Sequence, residues 1–328
     1  LQLKILKNVK IYFITKLTYL KMRRTMKTHS LKILTAAILL SVGTVGVSMS
    51  AQGFAQETAA REGVNVGKMS WMRKLVPSGA LEGQAAQQYQ QTLQDAQQKK
   101  ILAPDNHPQV IRLRQIAQKI IPFAQPWNKL STQWKWEVNL IASEEVNAYC
   151  MPGGKIAFYT GILEKLNLTD DEVAMIMGHE IAHALREHGA ERAGKSVAVN
   201  VGSRLLGFLA EYNGYDGNKV AQIAGYGGGL AMLKYSRDDE TEGDIVGMDI
   251  AARAGYDPRA GIALWQKMGM INKNAPPQWL STHPSGTNRI KEIQKHLPEV
   301  MPLYARAKGV KLPIMPYRSN VKGIAPIP

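Results

Sequence analysis

The sequence predicts an α+β fold, mainly helical, with a small sheet beside one central helix. Three patterns lead to that prediction. Thr169-Asp170-Asp171-Glu172 is a capping box, and Val173, Ile176, Met177, Glu180 and Ala184 follow it at helical spacing. Trp134, Trp136, Val138 and Leu140 alternate with polar residues, the period of a half-buried strand. Gln84 to Lys100 and then Val110, Leu113, Ile116, Ala117 and Ile120 form two further helical stripes, read as packing helices.

In chain order, the two packing helices come first and the strand follows. Asn147 to Met151, the Pro152-Gly153-Gly154 turn and Lys155 to Thr160 then read as a hairpin. A short connection leads to the central helix, predicted over Asp170 to Ala193 with Gly194 as its stop. Val197 to Ala210 is apolar but holds Asn200 and Arg204, and Val220 to Leu233 is short and glycine-rich, so neither reaches membrane length. Gly225, Gly227, Gly228 and Gly229 mark a mobile segment, and the prolines from Pro298 onward predict an extended or disordered tail.

Inside the central helix stands His179-Glu180-Ile181-Ala182-His183. A spacing of four residues puts both imidazoles on one helix face, where they can grip one metal ion. Glu180 sits beside them, able to take a proton from a metal-activated water. This is the H-E-x-x-H signature of zinc peptidases, and one zinc per chain is the expected cofactor. The alternative is a helix that merely carries two surface histidines. A catalytic zinc takes three protein ligands. Extension to H-E-x-x-H-x-x-G-x-x-H fails, because Arg186 and Gly189 stand where glycine and histidine are required. His188, five residues past His183, turns away from the metal face and reads as a supporting or packing residue. A later glutamate remains, either Glu211 or Glu240. Asp244 lies one turn behind Glu240, as a carboxylate orienting a ligand histidine would, and the balance falls to Glu240.

With these residues the chain resembles the zinc peptidases that include HtpX, the CAAX prenyl protease and BepA. Their S-R-x-x-E-x-x-A-D pattern is matched by Ser236, Arg237, Glu240 and Asp244, with Gly243 in place of alanine. Their N-A-x-x-x-P-G-G stretch is matched by Asn147, Ala148, Pro152, Gly153 and Gly154, and H-P-x-x-x-x-R-I by His283, Pro284, Arg289 and Ile290. The resemblance implies a zincin-type metallopeptidase domain over 56–300, nearest in pattern to the soluble periplasmic BepA-like or LoiP-like members. It implies His179, His183 and Glu240 as ligands, Glu180 as base and Asp244 as orienting carboxylate. It also brings His283 to the zinc, either donating to the tetrahedral intermediate or filling the open metal position in a latent form. Arg289 either pairs with a carboxylate there or is solvated. By the same resemblance, the second hairpin strand (Lys155, Ile156, Ala157, Phe158), with Asn147 and Ala148 beside it, binds substrate as an added strand. Cys150 reads as structural. The BepA-like helical repeat domain has no counterpart after residue 300, where the tail 301–328 begins.

The ends bear on compartment. Met22 or Met26 is a better start than Leu1. From Met26 the sequence reads as a secretory signal: Lys27 and Lys32, an apolar run from Ile33 to Val47, and Gly53-Phe54-Ala55 before a mature start near Gln56. An uncleaved anchor is the alternative. Nine of the 41 Lys and Arg and none of the 26 Asp and Glu precede residue 56, which leaves 32 against 26. That small basic excess makes no case for nucleic acid. The expected setting is the bacterial periplasm, peripherally associated with a membrane at most. Unfolded or misassembled envelope proteins are the expected substrates and the outer-membrane assembly machinery a partner. The rival is a zinc-stabilised chaperone or assembly factor with latent or weak proteolysis.

Overall fold

In the computed structural model, the described residues are 62–222, 235–271, 278–283 and 287–328. The signal-like segment and the glycine-rich run 223–234 lie outside them, as does Pro284. The helices are α1 (Ser78–Gln98), α2 (Pro108–Ile120), α3 (Thr160–Lys165), α4 (Asp170–Leu185), α5 (His188–Tyr212), α6 (Arg237–Arg253), α7 (Ala260–Ile271), α8 (Gln278–Thr282) and α9 (Thr287–Lys308). The strands are β1 (Glu137–Ile141), β2 (Ala148–Met151) and β3 (Lys155–Tyr159). A mostly helical chain with one small mixed sheet is the α+β class the sequence predicts.

The sheet order is β1-β3-β2, with β3 parallel to β1 and antiparallel to β2. Hence Lys155, Ile156, Ala157 and Phe158 lie on the central strand, and both of their edges are paired. The expected added-strand site cannot be β3. Ile156, Ala157 and Phe158 are wholly buried, and the Lys155 ammonium is tied to Glu137 at 2.7 Å. A period of two tells which residues are inward but not which strand is at an edge. The edge beyond the hairpin belongs to β2, which opens with Ala148.

α4 runs beneath β2 and packs against α6, α7 and α2. Its capping box forms as predicted: Thr169 Oγ1 accepts from the Glu172 amide at 3.3 Å, and Glu172 Oε2 accepts from the Thr169 amide at 2.8 Å. Such caps stabilise a helix by about 1 kcal/mol. The same carboxylate pairs with the buried Lys267 ammonium at 2.6 Å. α4 and α6 cross at Gly178 and Gly247, where a side-chain carbon on Gly178 would stand 2.6 Å from the Gly247 carbonyl oxygen. That approach brings the first histidine of α4 onto the first turns of α6.

Two expectations are corrected. The central helix ends at Leu185 rather than Ala193: Glu187 takes a left-handed φ of 56°, and α5 starts afresh at His188. The break is held by tertiary partners. Asn128 Nδ2 donates to the Leu185 carbonyl at 3.1 Å, and Arg73 pairs with Glu187. The tail is not extended from Pro298. α9 continues through Pro298 and Pro302 to Lys308, and Tyr317 and Ile327 then pair with each other and pack into the core. Among the described residues no helix is long and apolar enough to cross a membrane.

Candidate metal centre

α4 supplies His179, Glu180 and His183, α6 supplies Glu240 and Asp244, and the turn after α8 supplies His283. One donor atom each from His179, His183, Glu240 and His283 lies within 4.8 Å of the other three, and all four side chains are buried. His179 Nε2 is 3.0 Å from His183 Nε2 and 3.7 Å from Glu240, and His183 Nε2 is 3.6 Å from Glu240. Tetrahedral zinc with bonds of about 2.0–2.1 Å separates its ligand atoms by about 3.3 Å. The two histidines and Glu240 therefore fit the ion. Glu211, the other candidate, is exposed at the end of α5 and outside the cluster.

Each candidate ligand histidine has its own support. A metal-binding nitrogen carries no proton, so the far nitrogen donates. His179 Nδ1 donates to Asp244 Oδ1 at 3.1 Å. Burial pushes the Asp244 carboxyl up, but the Arg289 guanidinium and the hydrogen bond from His179 outweigh it and hold the group at about 2. Arg289 Nη2 donates to Asp244 at 2.6 Å; its Nη1 pairs with Glu240, and its guanidinium lies 4.1 Å from the Trp265 ring centre. On the other side, His183 Nδ1 donates to His188 Nδ1 at 2.7 Å, and His188 Nε2 donates to Glu242 at 3.2 Å. Arg186 Nε donates to Glu242 at 2.7 Å. The reading of His188 as a supporting residue thus acquires a partner, Glu242, that the sequence did not mark.

Glu180 stands outside the candidate ligand set. Trp279 Nε1 donates to its Oε1 at 2.6 Å, and His283 Nε2 is 3.5 Å from the same oxygen. His283 Nδ1 faces the ligands, 3.2 Å from His179 Nε2 and 2.9 Å from Glu240 Oε1. Tyr235 stacks on His183 at 4.0 Å, and Trp279 on His283 at 4.9 Å. Neither aromatic was singled out from sequence. A tryptophan inside a short polar stretch carries no periodic signal, and only the fold brings it to Glu180. α8 is also tied to the sheet: the Trp279 amide donates to the Val146 carbonyl at 3.1 Å, just ahead of Asn147 and Ala148 on the β2 side. Beside His183 lies a small recess, lined by Leu81, Trp134, Cys150, Ala184, Ala190 and Tyr235 among others.

Gly243, which stands where the resembling pattern has alanine, lies directly against the two histidines. A side-chain carbon there would stand 2.8 Å from His179 Cε1 and 3.1 Å from His183 Nε2.

Residues 110–297, from the second packing helix to α9, match the model of Peptidase family M48. The chain belongs to peptidase family M48. The yeast Saccharomyces cerevisiae mitochondrial metalloendopeptidase OMA1 is 31% identical over 218 residues, 63% of this chain and 61% of the relative. The mitochondrial metalloendopeptidase OMA1 of Danio rerio is 35% identical over 193 residues, covering 54% and 39%. The beta-barrel assembly-enhancing protease of Escherichia coli O157:H7 is 25% identical over 175 residues, covering 51% and 36%. The chain thus spans at most about three fifths of these relatives' lengths, and they do not single out an HtpX-like or BepA-like branch. Family M48 is zinc-dependent, and its match and these relatives mark a metalloendopeptidase domain.

Proposed function

We propose that this protein is a zinc-dependent endopeptidase of the bacterial periplasm that hydrolyses unfolded or misassembled envelope proteins. The observation that carries the chemistry is the placement of Glu180, a buried carboxylate held by Trp279 beside, but not within, a ligand triad spaced for zinc. A bound zinc supplies Lewis acidity, which acidifies water and polarises a scissile carbonyl. Glu180 takes the proton from the attacking water and passes it to the leaving amine. Trp279 holds Glu180 Oε1 in place during that transfer, and Asp244 and the His188–Glu242 pair keep both ligand imidazoles in the right tautomer and orientation.

The compartment rests on the signal-like Met26 to Ala55 segment, with support from the relatives named beta-barrel assembly-enhancing protease. The substrate class rests on the β2 edge, where Ala148 can meet an extended chain through main-chain hydrogen bonds that read little sequence, whereas the Asn147 carbonyl accepts from the Tyr159 amide of β3 at 3.1 Å. The recess beside His183 would seat one apolar side chain of such a chain. Outer-membrane assembly machinery is a proposed partner on the same relatives' names.

One arrangement favours a latent state, and with it the second reading of an assembly factor whose proteolysis is held in check. His283 is close enough to act as a fourth ligand, and the Trp279 amide occupies the Val146 carbonyl at the end of the β2 edge. Opening α8 would release both together.

The test is casein degradation by the zinc-loaded chain, by Glu180→Gln and by His283→Ala. Cleavage by the parent or by His283→Ala, abolished when Glu180→Gln is added with zinc retained, is the expected result. Inert parent and His283→Ala proteins, both carrying one zinc, would overturn the peptidase reading.

A further inference from the structure

α5 leaves the site through the Arg186-Glu187 break and presents a face that no described element covers. Val197, Val201, Leu205 and Leu209 follow one another at intervals of four, and Phe208 and Tyr212 extend the stripe. Leu205 is 57% exposed and Phe208 65% exposed, and beyond the helix Tyr215 is 72% exposed. At the opposite end of the helix, the turn Trp71–Leu75 packs on Gly194, and Trp71 is also largely exposed. A contiguous apolar face of this kind on a soluble surface marks a contact site.

Charge and aromatic placement say what covers it. The helix carries Arg192, Lys195 and Arg204, with Glu191 and Glu211 on either side of them, and Lys195 pairs with Glu191 at 2.5 Å. Arg204 is exposed on the flank of the stripe, and Lys68 and Lys74 are exposed at the Trp71 end. The face is a convex stripe along one helix, with tryptophan at one end and tyrosines at the other. Apolar stripe, basic flanks and amphipathic rings at both ends are the features of a helix that lies in the headgroup region of a bilayer. A binding groove for a peptide would be concave, and a protein partner selected by charge would not require the bulky apolar centre.

We propose that α5 docks this protein onto an anionic lipid surface, with Val201, Leu205 and Phe208 inserted and Lys74 and Arg204 against the headgroups. The geometry ties docking to the site. His188, the first residue of α5, holds His183, so the metal centre would stand at a fixed height over the bilayer.

The experiment is independent of peptidase activity. An environment-sensitive dye is attached at Leu205→Cys or Phe208→Cys in the full chain carrying Cys150→Ser, with Gln91→Cys on exposed α1 as the control. Vesicles of phosphatidylcholine with a third phosphatidylglycerol should shift the dye emission to the blue at 205 and 208 and leave it unchanged at 91. Vesicles of phosphatidylcholine alone should do so weakly. Arg204→Gln should lower the apparent affinity for anionic vesicles by about fivefold, the weight of one basic residue at such a surface. No shift at 205 and 208 on anionic vesicles would overturn the proposal. So would a shift that rises with protein concentration in the absence of vesicles, which would assign the face to a second copy of the chain.

Discussion

Replacing Arg289 with methionine separates the two jobs its guanidinium performs. It pairs at once with Glu240, the candidate third ligand, and with both oxygens of Asp244, from Nε at 2.5 Å and from Nη2 at 2.6 Å. Arg289 and Glu240 are buried, and the Asp244 side chain is only 8% exposed. Methionine keeps much of the side-chain volume over Trp265 but leaves two carboxylates facing each other without a cation. Breaking a buried pair by removing one partner costs about 3–5 kcal/mol. Zinc at Glu240 replaces part of the lost positive charge, so the cost should be smaller in the loaded protein. At about 2–4 °C per kcal/mol for a domain of this size, the metal-free Arg289→Met protein should melt about 6–20 °C below the parent. The zinc-loaded pair should differ by less than half of that. Thermal melts in chelator and in zinc, with Arg289→Lys as a second variant that keeps the charge, provide the measurement. Equal melting of parent and Arg289→Met without metal would refute the claim that the two carboxylates need this cation.

Other expectations follow from the same geometry. Trp279→Phe removes the hydrogen bond to Glu180 while keeping an aromatic against His283; kcat on casein should fall about tenfold with zinc content unchanged, and a fall in zinc content instead would make Trp279 a structural residue. His188→Ala leaves His183 without its acceptor, so zinc affinity measured by competition with a chelating dye should fall 10- to 100-fold; an unchanged affinity would remove the His183–His188–Glu242 chain from the site. Asp244 has a folded value of about 2 against an ordinary 3.8, a depression, so the stability it contributes is full above 3.8 and is lost as pH falls toward 2. That amounts to about 2 kcal/mol in the metal-free protein. Urea midpoints between pH 5 and 2 should therefore fall more steeply for the parent than for Asp244→Asn, and parallel slopes would show that the carboxyl is not held down.

Local chemistry was enough to make much of this protein legible from its sequence. A histidine pair four apart on a capped helix has one geometric consequence, so the positions of His179, His183 and Glu180 follow from helix pitch. The same holds for Glu240 and Asp244, one turn apart on α6, and for the hairpin around Gly153 and Gly154. What the sequence left open depended on partners distant along the chain. Glu187 ends α4 because Arg73 and Asn128 hold the turn, and no glycine or proline marks it. β3 is central because β1 pairs with it across a crossover, a choice that side-chain alternation does not encode. α9 runs through two prolines because its apolar face, with Val300 and Leu303, packs into the core. Trp279, Tyr235 and Glu242 reach the metal centre only through tertiary packing. Periodicity and spacing record what a residue does for its own helix or strand; the partner that completes a site is chosen by the packing of several elements at once, and that choice appeared only in the folded chain.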